Sequence, residues 1–359
     1  MPALTARSGA ATDAAILDAI RREPDTTRIA IARELGVTPA TVTNSVKRLL
    51  AAGLVVESGR ARSTGGKPAS LLRVSTTSRW AIGCTLESDR LALVAMGMGG
   101  ALRGRVMMPL PAGAAPERIA ELLEAGLRDL GALERSERDA FQGVGITDLR
   151  PRTEGSRTEG ITVLAAHLEE AVDRPVVRGT PAVCAGLGSD WVGEQEGGQP
   201  CLTVHLGPTV GIALLLGGRP LLPWGDEAGE LDVPDAGTVA DVRRALAEGL
   251  GHRIDLDTAE ERVITAHARL TEAAAHGDTD AAAIVSDGAR RIARAVDALA
   301  GPLGVRSVVL SGTSVAMAPR LYLDTMSAVL PAGRRLRVST VQPHPCAVGA
   351  AALALVPRT

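Results

Sequence analysis

The chain has 359 residues, 45% of them hydrophobic and 22% charged, with a net charge of −2, an ordinary balance for a globular protein with a large core and two or three domains. No apolar run approaches the roughly 20 residues of a membrane span, and the start lacks a basic-then-apolar leader, so a cytoplasmic protein without a membrane partner is expected. Only five aromatic residues (Trp80, Phe141, Trp191, Trp224, Tyr322) accompany 40 Gly and abundant Ala, so aliphatics and Ala must fill the core and close helix packing is expected.

Cys84, Cys184, Cys201 and Cys346 lie far apart with no C-x-x-C pair. They read as reduced, buried residues, and their spacing suggests no metal site. The charge is divided unevenly. Residues 1–79 hold 12 Lys and Arg against 6 Asp and Glu, a net +6, and the rest holds 27 against 35, a net −8. A basic head on an acidic body suits a nucleic-acid-binding module joined to something else.

In chain order, residues 13–22 place Ile16, Leu17 and Ile20 at helical spacing, and Pro24-Asp25 breaks the run. A second helix over 27–35 aligns Ile31, Ala32 and Leu35, and Gly36-Val37 makes a tight turn. Thr38 is then an N-cap and Pro39 a first helical residue, opening a third helix at 39–52 with Val42, Val46, Leu49 and Leu50 on its apolar face. Three short helices with a glycine turn before the third form a helix-turn-helix, whose third helix reads DNA. Its other face carries Thr41, Thr43, Asn44, Lys47 and Arg48, side chains suited to base edges and phosphates. Gly53 ends the helix, Leu54-Val55-Val56 begins a strand, and a basic loop from Gly59 to Lys67, with Arg60 and Arg62, leads to a second strand at Ser70–Val74. That hairpin completes a wing. The plainer alternative is a three-helix protein-interaction module.

This stretch resembles the DNA-binding head of the ROK family, which groups repressors, open reading frames and sugar kinases. Gly65-Gly66-Lys67-Pro68-Ala69 looks like the family's wing signature, followed by Leu71. The resemblance implies that this segment enters the minor groove beside the major groove read by the third helix. Relatives often carry Arg where Pro39 and Asn44 stand here, so the operator sequence is not implied.

From Trp80 strands alternate with helices: strands at Trp80–Leu86, Arg90–Met96 and Ala101–Met108, a helix at 116–130, a strand at Gln142–Thr147, a helix at 161–172 and a strand at Pro175–Arg178. The order recurs with strands at Cys201–Leu206 and Val210–Leu216, a turn at Gly217-Gly218-Arg219, further helices, and a strand at Ser307–Leu310. Leu206-Gly207, Gly211, Ala228-Gly229-Glu230, Leu310-Ser311-Gly312 and Val348-Gly349-Ala350-Ala351 resemble ROK motifs in order and spacing. The expected fold is α/β: a winged helix-turn-helix over 1–78, then a two-lobed actin-like (ribonuclease H-like) ATPase or sugar-kinase-type domain over 79–359. Lobe one is expected at about 79–183 plus the C-terminal helix 345–359, and lobe two at about 184–344.

Phosphoryl transfer needs phosphate cradles, a magnesium-compatible carboxylate and a base. Where the family has Asp-x-Gly-Gly-Thr, this chain has Thr85-Leu86-Glu87-Ser88-Asp89; where it has Gly-Thr-Gly-x-Gly, this chain has Gly207-Pro208-Thr209-Val210-Gly211. The first lacks the Asp and brings a carboxylate near phosphate oxygens, and the second loses an N–H at Pro208. The resemblance puts the catalytic base within an Asn-Asp pair, matched here by Gly179-Thr180, and zinc on a histidine and cysteine cluster, replaced here by Leu231-Asp232-Val233-Pro234. The domain is therefore expected to be no enzyme and to hold no cofactor or metal.

The expected function is a DNA-binding regulator, a repressor, with double-stranded operator DNA as partner and a homodimer or higher homo-oligomer as its assembly. The Ala-rich 281–300 region is a candidate dimer contact, with core packing as the plainer reading. Glu230, His205 and Trp224 are candidates for a small, sugar-like effector, although a lone carboxylate also reads as a solvated group or helix cap, and a strand histidine as a packed, hydrogen-bonded one. The tandem Arg152-Thr153-Glu154-Gly155 and Arg157-Thr158-Glu159-Gly160 reads as a solvated loop. The alternatives are a sugar kinase with a DNA-binding head and a DNA-binding oligomer without effector.

Overall fold

The computed structural model describes residues 9–62, 68–111, 113–150, 157–193, 199–207, 210–221, 233, 236–254, 256, 263–341 and 344–356. The head contains α1 (Gly9–Arg22), α2 (Arg28–Leu35), α3 (Pro39–Ala51), β1 (Val55–Arg60) and β2 (Ser70–Val74). Local chemistry sets these boundaries. Thr27 caps α2 by accepting the Ala30 N–H at 3.2 Å, and Gly36 ends it at φ +63°, a left-handed conformation that costs glycine little. Ile16, Ile20, Ile31, Val42, Val46 and Leu72 are fully buried, so the three helices and the hairpin share one core. β1 and β2 pair antiparallel with a bulge between Glu57 and Gly59, and Thr26 bridges to Leu72, tying the α1–α2 turn to the wing.

The body holds two five-stranded sheets built on one plan. The first comprises β3 (Trp80–Leu86), β4 (Arg90–Gly97), β5 (Leu102–Pro109), β6 (Phe141–Asp148) and β7 (Val176–Arg178) in the order β5-β4-β3-β6-β7. The first three strands are antiparallel neighbours, and β6 and β7 add in parallel. α4 (Pro116–Asp129) and α5 (Arg157–Val172) connect them. α6 (Pro181–Trp191) leads to the second sheet, with β8 (Pro200–Leu206), β9 (Val210–Leu216), β10 (Arg219–Pro220), β11 (Ser307–Ser311) and β12 (Arg335–Val338) in the order β10-β9-β8-β11-β12. Again the early pairs are antiparallel and the later ones parallel. α7 (Thr238–Ala247), α8 (Gly251–Ile254), α9 (Val263–Ala275), α10 (Thr279–Ala300), α11 (Thr313–Met317) and α12 (Pro319–Ser327) belong to this half, and α13 (Pro345–Leu355) follows it.

Two helices are exchanged between the halves. α6 follows the first sheet in the chain but packs on β8 and β9, whereas α13 follows the second sheet and packs on β3, β4 and β6. The two helices also pack on each other. Small residues make this possible. A Cβ at Gly83 or Gly145 would overlap the carbonyl oxygen of Ala347 or Ala350, and one at Gly349 would overlap that of Cys184. The backbone of α13 thus lies directly on two strands and on α6, the close packing that an aromatic-poor composition leads one to expect. An aromatic pair, Trp80 on Phe141 with centroids 4.7 Å apart, stands in the core of the first half.

One expectation changes. The second tandem copy, starting at Arg157, opens α5 and is not loop, since the helical run over 161–172 extends backward by about one turn; the first copy, 152–155, lies outside the described residues. The apolar face of α10, with Ile284, Val285, Ile292 and Val296, packs in the core of the second half, and Leu299 near its end is exposed. Among the described residues no helix is long and apolar enough to cross a membrane.

Because the Gly349 contact is backbone on backbone, Gly349→Ala should destabilise the protein by about 3 kcal/mol or more. Gly160, with open space around it inside α5, provides the contrast: Gly160→Ala should be neutral or stabilising by up to about 1 kcal/mol. Urea unfolding of both variants measures the difference.

Candidate nucleic-acid interface

The third helix of the head presents a polar face held by its own first turn. The Thr38 hydroxyl accepts the Thr41 N–H at 3.2 Å and shares a hydrogen bond with the Thr41 hydroxyl at 2.9 Å. Pro39 follows in the first turn, where its missing N–H costs nothing. The Thr43 hydroxyl donates to the Pro39 carbonyl at 2.8 Å, which directs its methyl group and not its hydroxyl outward. Asn44 and Lys47 are exposed.

Arg48 has a different place. Its guanidinium forks onto Asp13 of α1, with Nε–Oδ2 at 2.8 Å and Nη2–Oδ1 at 2.6 Å, and also donates to Ser45 at 3.0 Å. The Arg48 guanidinium holds the Asp13 carboxyl below its ordinary range. Arg48 thus braces the third helix on the first, a role that sequence reading missed because the only sign is a lone acid 35 positions upstream.

In the wing, the Ala61 N–H donates to the Ala69 carbonyl at 2.8 Å, closing the hairpin just beyond the Arg60↔Ser70 pair. Arg60 and Arg62 are exposed, and Pro68 is half-buried. Gly65, Gly66 and Lys67 lie outside the described residues.

In the body, the first-cradle turn is closed by its own charges. Arg90 forks onto Asp89 at 2.8 and 2.6 Å and lies 3.5 Å from Glu87, whose other oxygen is 3.6 Å from His344 Nδ1. At the end of β6, buried Asp148 is forked by Arg150, with contacts of 2.7 to 3.2 Å. Thr180, at the place of the family's base, caps α6 by accepting the Val183 N–H at 3.4 Å. Any Cβ at Gly179 would lie 2.7 Å from Cys184 Sγ and 2.9 Å from Leu353, so no larger residue fits there without rearrangement. Of the second cradle, Gly207 and Gly211 are described and Pro208 and Thr209 are not.

Of the three effector candidates, His205 alone lies within the described residues. Glu230 and Trp224 lie outside them. His205 is 4% exposed on β8, facing Ser311 Oγ at 3.4 Å and Cys346 Sγ at 3.8 Å. Burial pulls its pKa down to about 4, so its ring is neutral at neutral pH. All four cysteines are free and buried, and burial pushes the Cys184 thiol up to about 12, far from a reactive thiolate.

This architecture defines a winged helix-turn-helix head on a two-lobed, actin-like body, and comparisons with known proteins agree. Residues 10–56 match the winged helix-turn-helix DNA-binding family. Over 97% of both chains, the structure is similar to that of a ROK family transcriptional regulator described as a homolog of the E. coli MLC protein, with a TM-score of 0.70 and 14% identity. The ROK hexokinase of Thermus thermophilus matches 77% of this chain and 98% of its own at 24% identity and a TM-score of 0.56. The ROK family glucokinase of Streptomyces griseus, solved with glucose and AMPPNP, matches 76% and 98% at 20% identity and 0.58. A curated relative, the uncharacterized protein y4fQ of Sinorhizobium fredii, is 25% identical over 220 residues, which are 57% of this chain and only 55% of that protein. The chain therefore has a DNA-binding winged helix-turn-helix at its head and the ROK fold in its body.

The buried state of His205 has a measurable consequence. The unfolded imidazole takes a proton near pH 6.5 and the folded one only near about 4. Between these values the unfolded state binds more protons, so stability falls as pH drops through this window. His205 should account for a loss of about 2 kcal/mol between pH 7 and pH 5. Denaturant titrations at both pH values, compared with those of His205→Gln, should show a correspondingly smaller loss in the variant.

Proposed function

We propose that this protein is a ROK-type transcriptional regulator, a cytoplasmic repressor that reads operator DNA with a head of residues 1–78 and uses its body, residues 79–359, for dimerisation and effector sensing and not for catalysis. The observation that carries this reading is the capped, polar face of α3 left exposed beside a wing with two exposed arginines. On this reading Asn44 and Thr41 read base edges in the major groove, and Lys47, Arg60, Arg62 and Lys67 hold phosphate or a narrow minor groove. Thr38, Pro39, Thr43 and Arg48 position that face from within the head; Gly65, Gly66 and Pro68 belong to the segment proposed to meet DNA beside it.

A silent catalytic site is supported by the charges in the cleft. A phosphate entering beside Glu87 and Asp89 would meet carboxylates already joined to Arg90, and Asp148 is already neutralised by Arg150. Thr180 is no base at neutral pH, and its hydroxyl is engaged as a helix cap. Pure protein should therefore show no ATP-dependent phosphorylation of hexoses or aminosugars above a contaminant control. A sugar-like effector would still raise the melting temperature in a thermal-shift screen, since it binds the native state.

The DNA reading is tested by titrating variants on genomic sites occupied by the protein and on scrambled duplexes at several salt concentrations. Asn44→Ala should flatten preference at one or two positions of each half-site, at a cost of about 1–3 kcal/mol in discrimination. Lys67→Ala should weaken binding to all sequences and reduce the salt slope by about one unit. Retained sequence preference in Asn44→Ala together with altered preference in Lys67→Ala would show that α3 is not the reader.

A further inference from the structure

The head is seated on the body through charges that solvent hardly reaches. At the end of α1, Arg21 Nη2 lies 2.8 Å from Asp190 Oδ2 and Arg22 Nη2 lies 3.3 Å from the same oxygen. The Arg21 side chain is 5% exposed and that of Asp190 3%. Arg21 also donates to the Asp190 and Trp191 carbonyls at 3.3 and 3.1 Å and stacks over the Trp191 ring at 4.3 Å. Those carbonyls end α6, where the helix dipole favours a cation. Asp18 completes the set, 2.8 Å from Arg21 and 3.0 Å from Arg22.

The position of this cluster is as informative as its chemistry. Asp190 lies at the end of α6, one of the two exchanged helices that join the halves of the body. The apolar surround draws on both halves: Leu17 of α1, Met98 from the β4–β5 turn and Leu355 of α13 line one small pocket, and Leu215 of β9 belongs to the same core. The β9–β10 turn closes over the ions, since a Cβ at Gly218 would overlap both Arg22 Nη2 and Asp190 Oδ2. The reading face of α3 takes no part in the seat.

We propose that Arg21, Arg22 and Asp190 form a latch that fixes the head where the two lobes meet, so that a change in the angle between the lobes is passed to the head as a change in its seating. Rotation about α6 and α13 moves Met98 and Gly218 relative to each other, and α1 spans both. Losing the fit of Asp190 takes from two largely buried guanidinium groups the carboxylate they share, leaving them Asp18 and, for Arg21, the two carbonyls at the end of α6. Use of this coupling in regulation rests on the DNA-binding reading of the head; the latch itself does not.

Hydrogen–deuterium exchange of the full chain without DNA tests the latch, so that a failure of DNA binding would leave its result intact. Asp190→Asn should speed exchange in α1 about tenfold or more while α10, in the core of the second lobe, keeps its protection. Gly218→Ala, a change confined to lobe two, should loosen α1 in the same way. Arg22→Gln, which removes the longer pair to Asp190 and the Arg22–Asp18 pair but leaves the contacts of Arg21, serves if Asp190→Asn does not fold. Unchanged α1 protection in a folded Asp190→Asn or Arg22→Gln protein would overturn the latch. Loosening by those variants but not by Gly218→Ala would overturn its link to the second lobe.

Discussion

The body depends on the approach of α13 to the strands beneath it. A helix whose carbonyl oxygens lie on Gly83 and Gly145 leaves no layer of side chains to slide or repack. Because α13 belongs to the second half of the chain and covers the sheet of the first, and α6 does the reverse, the same contacts also fasten the halves together. Close-packed interiors respond to strain as units and not by local give. The head is seated beside the place where α6 and α13 pack on each other.

Charge is used in two ways in this chain. In the head the exposed Lys47, Arg60 and Arg62 remain available to an anionic partner, while Arg48 is spent on Asp13 to brace the helices. In the body, near the ends of the first-sheet strands, Asp89 pairs with Arg90 and Asp148 with Arg150. His205, on a strand of the second sheet between Ser311 and Cys346, is buried and neutral.

Legibility in the sequence followed the range of the interactions concerned. Thr38-Pro39 and Gly36 were readable because caps and left-handed turns act within a few residues, and the apolar periods of α1 to α3 were readable because each helix buries one face. The alternation of strands and helices was equally local. The start of α5 at Arg157 was not, since a polar Arg-Thr-Glu-Gly turn carries no apolar period and becomes helical by continuing the helix that follows it.

The sequence by itself therefore determined the kind of fold this is: a winged helix-turn-helix with a capped, polar-faced third helix, joined to a duplicated α/β body. Only the tertiary structure decided which charges are free. Arg48 and Lys47 look alike in sequence, yet one is forked onto Asp13 and the other is exposed. Arg21 and Asp190, 169 positions apart, meet in a nearly dry site that no local pattern announces. The glycines of α13 and its partners were visible as letters, but the carbonyl oxygens that forbid a side chain at them come from distant segments. Caps and periodicity arise within one turn of chain, whereas ion pairing and backbone contact depend on which surfaces folding brings together.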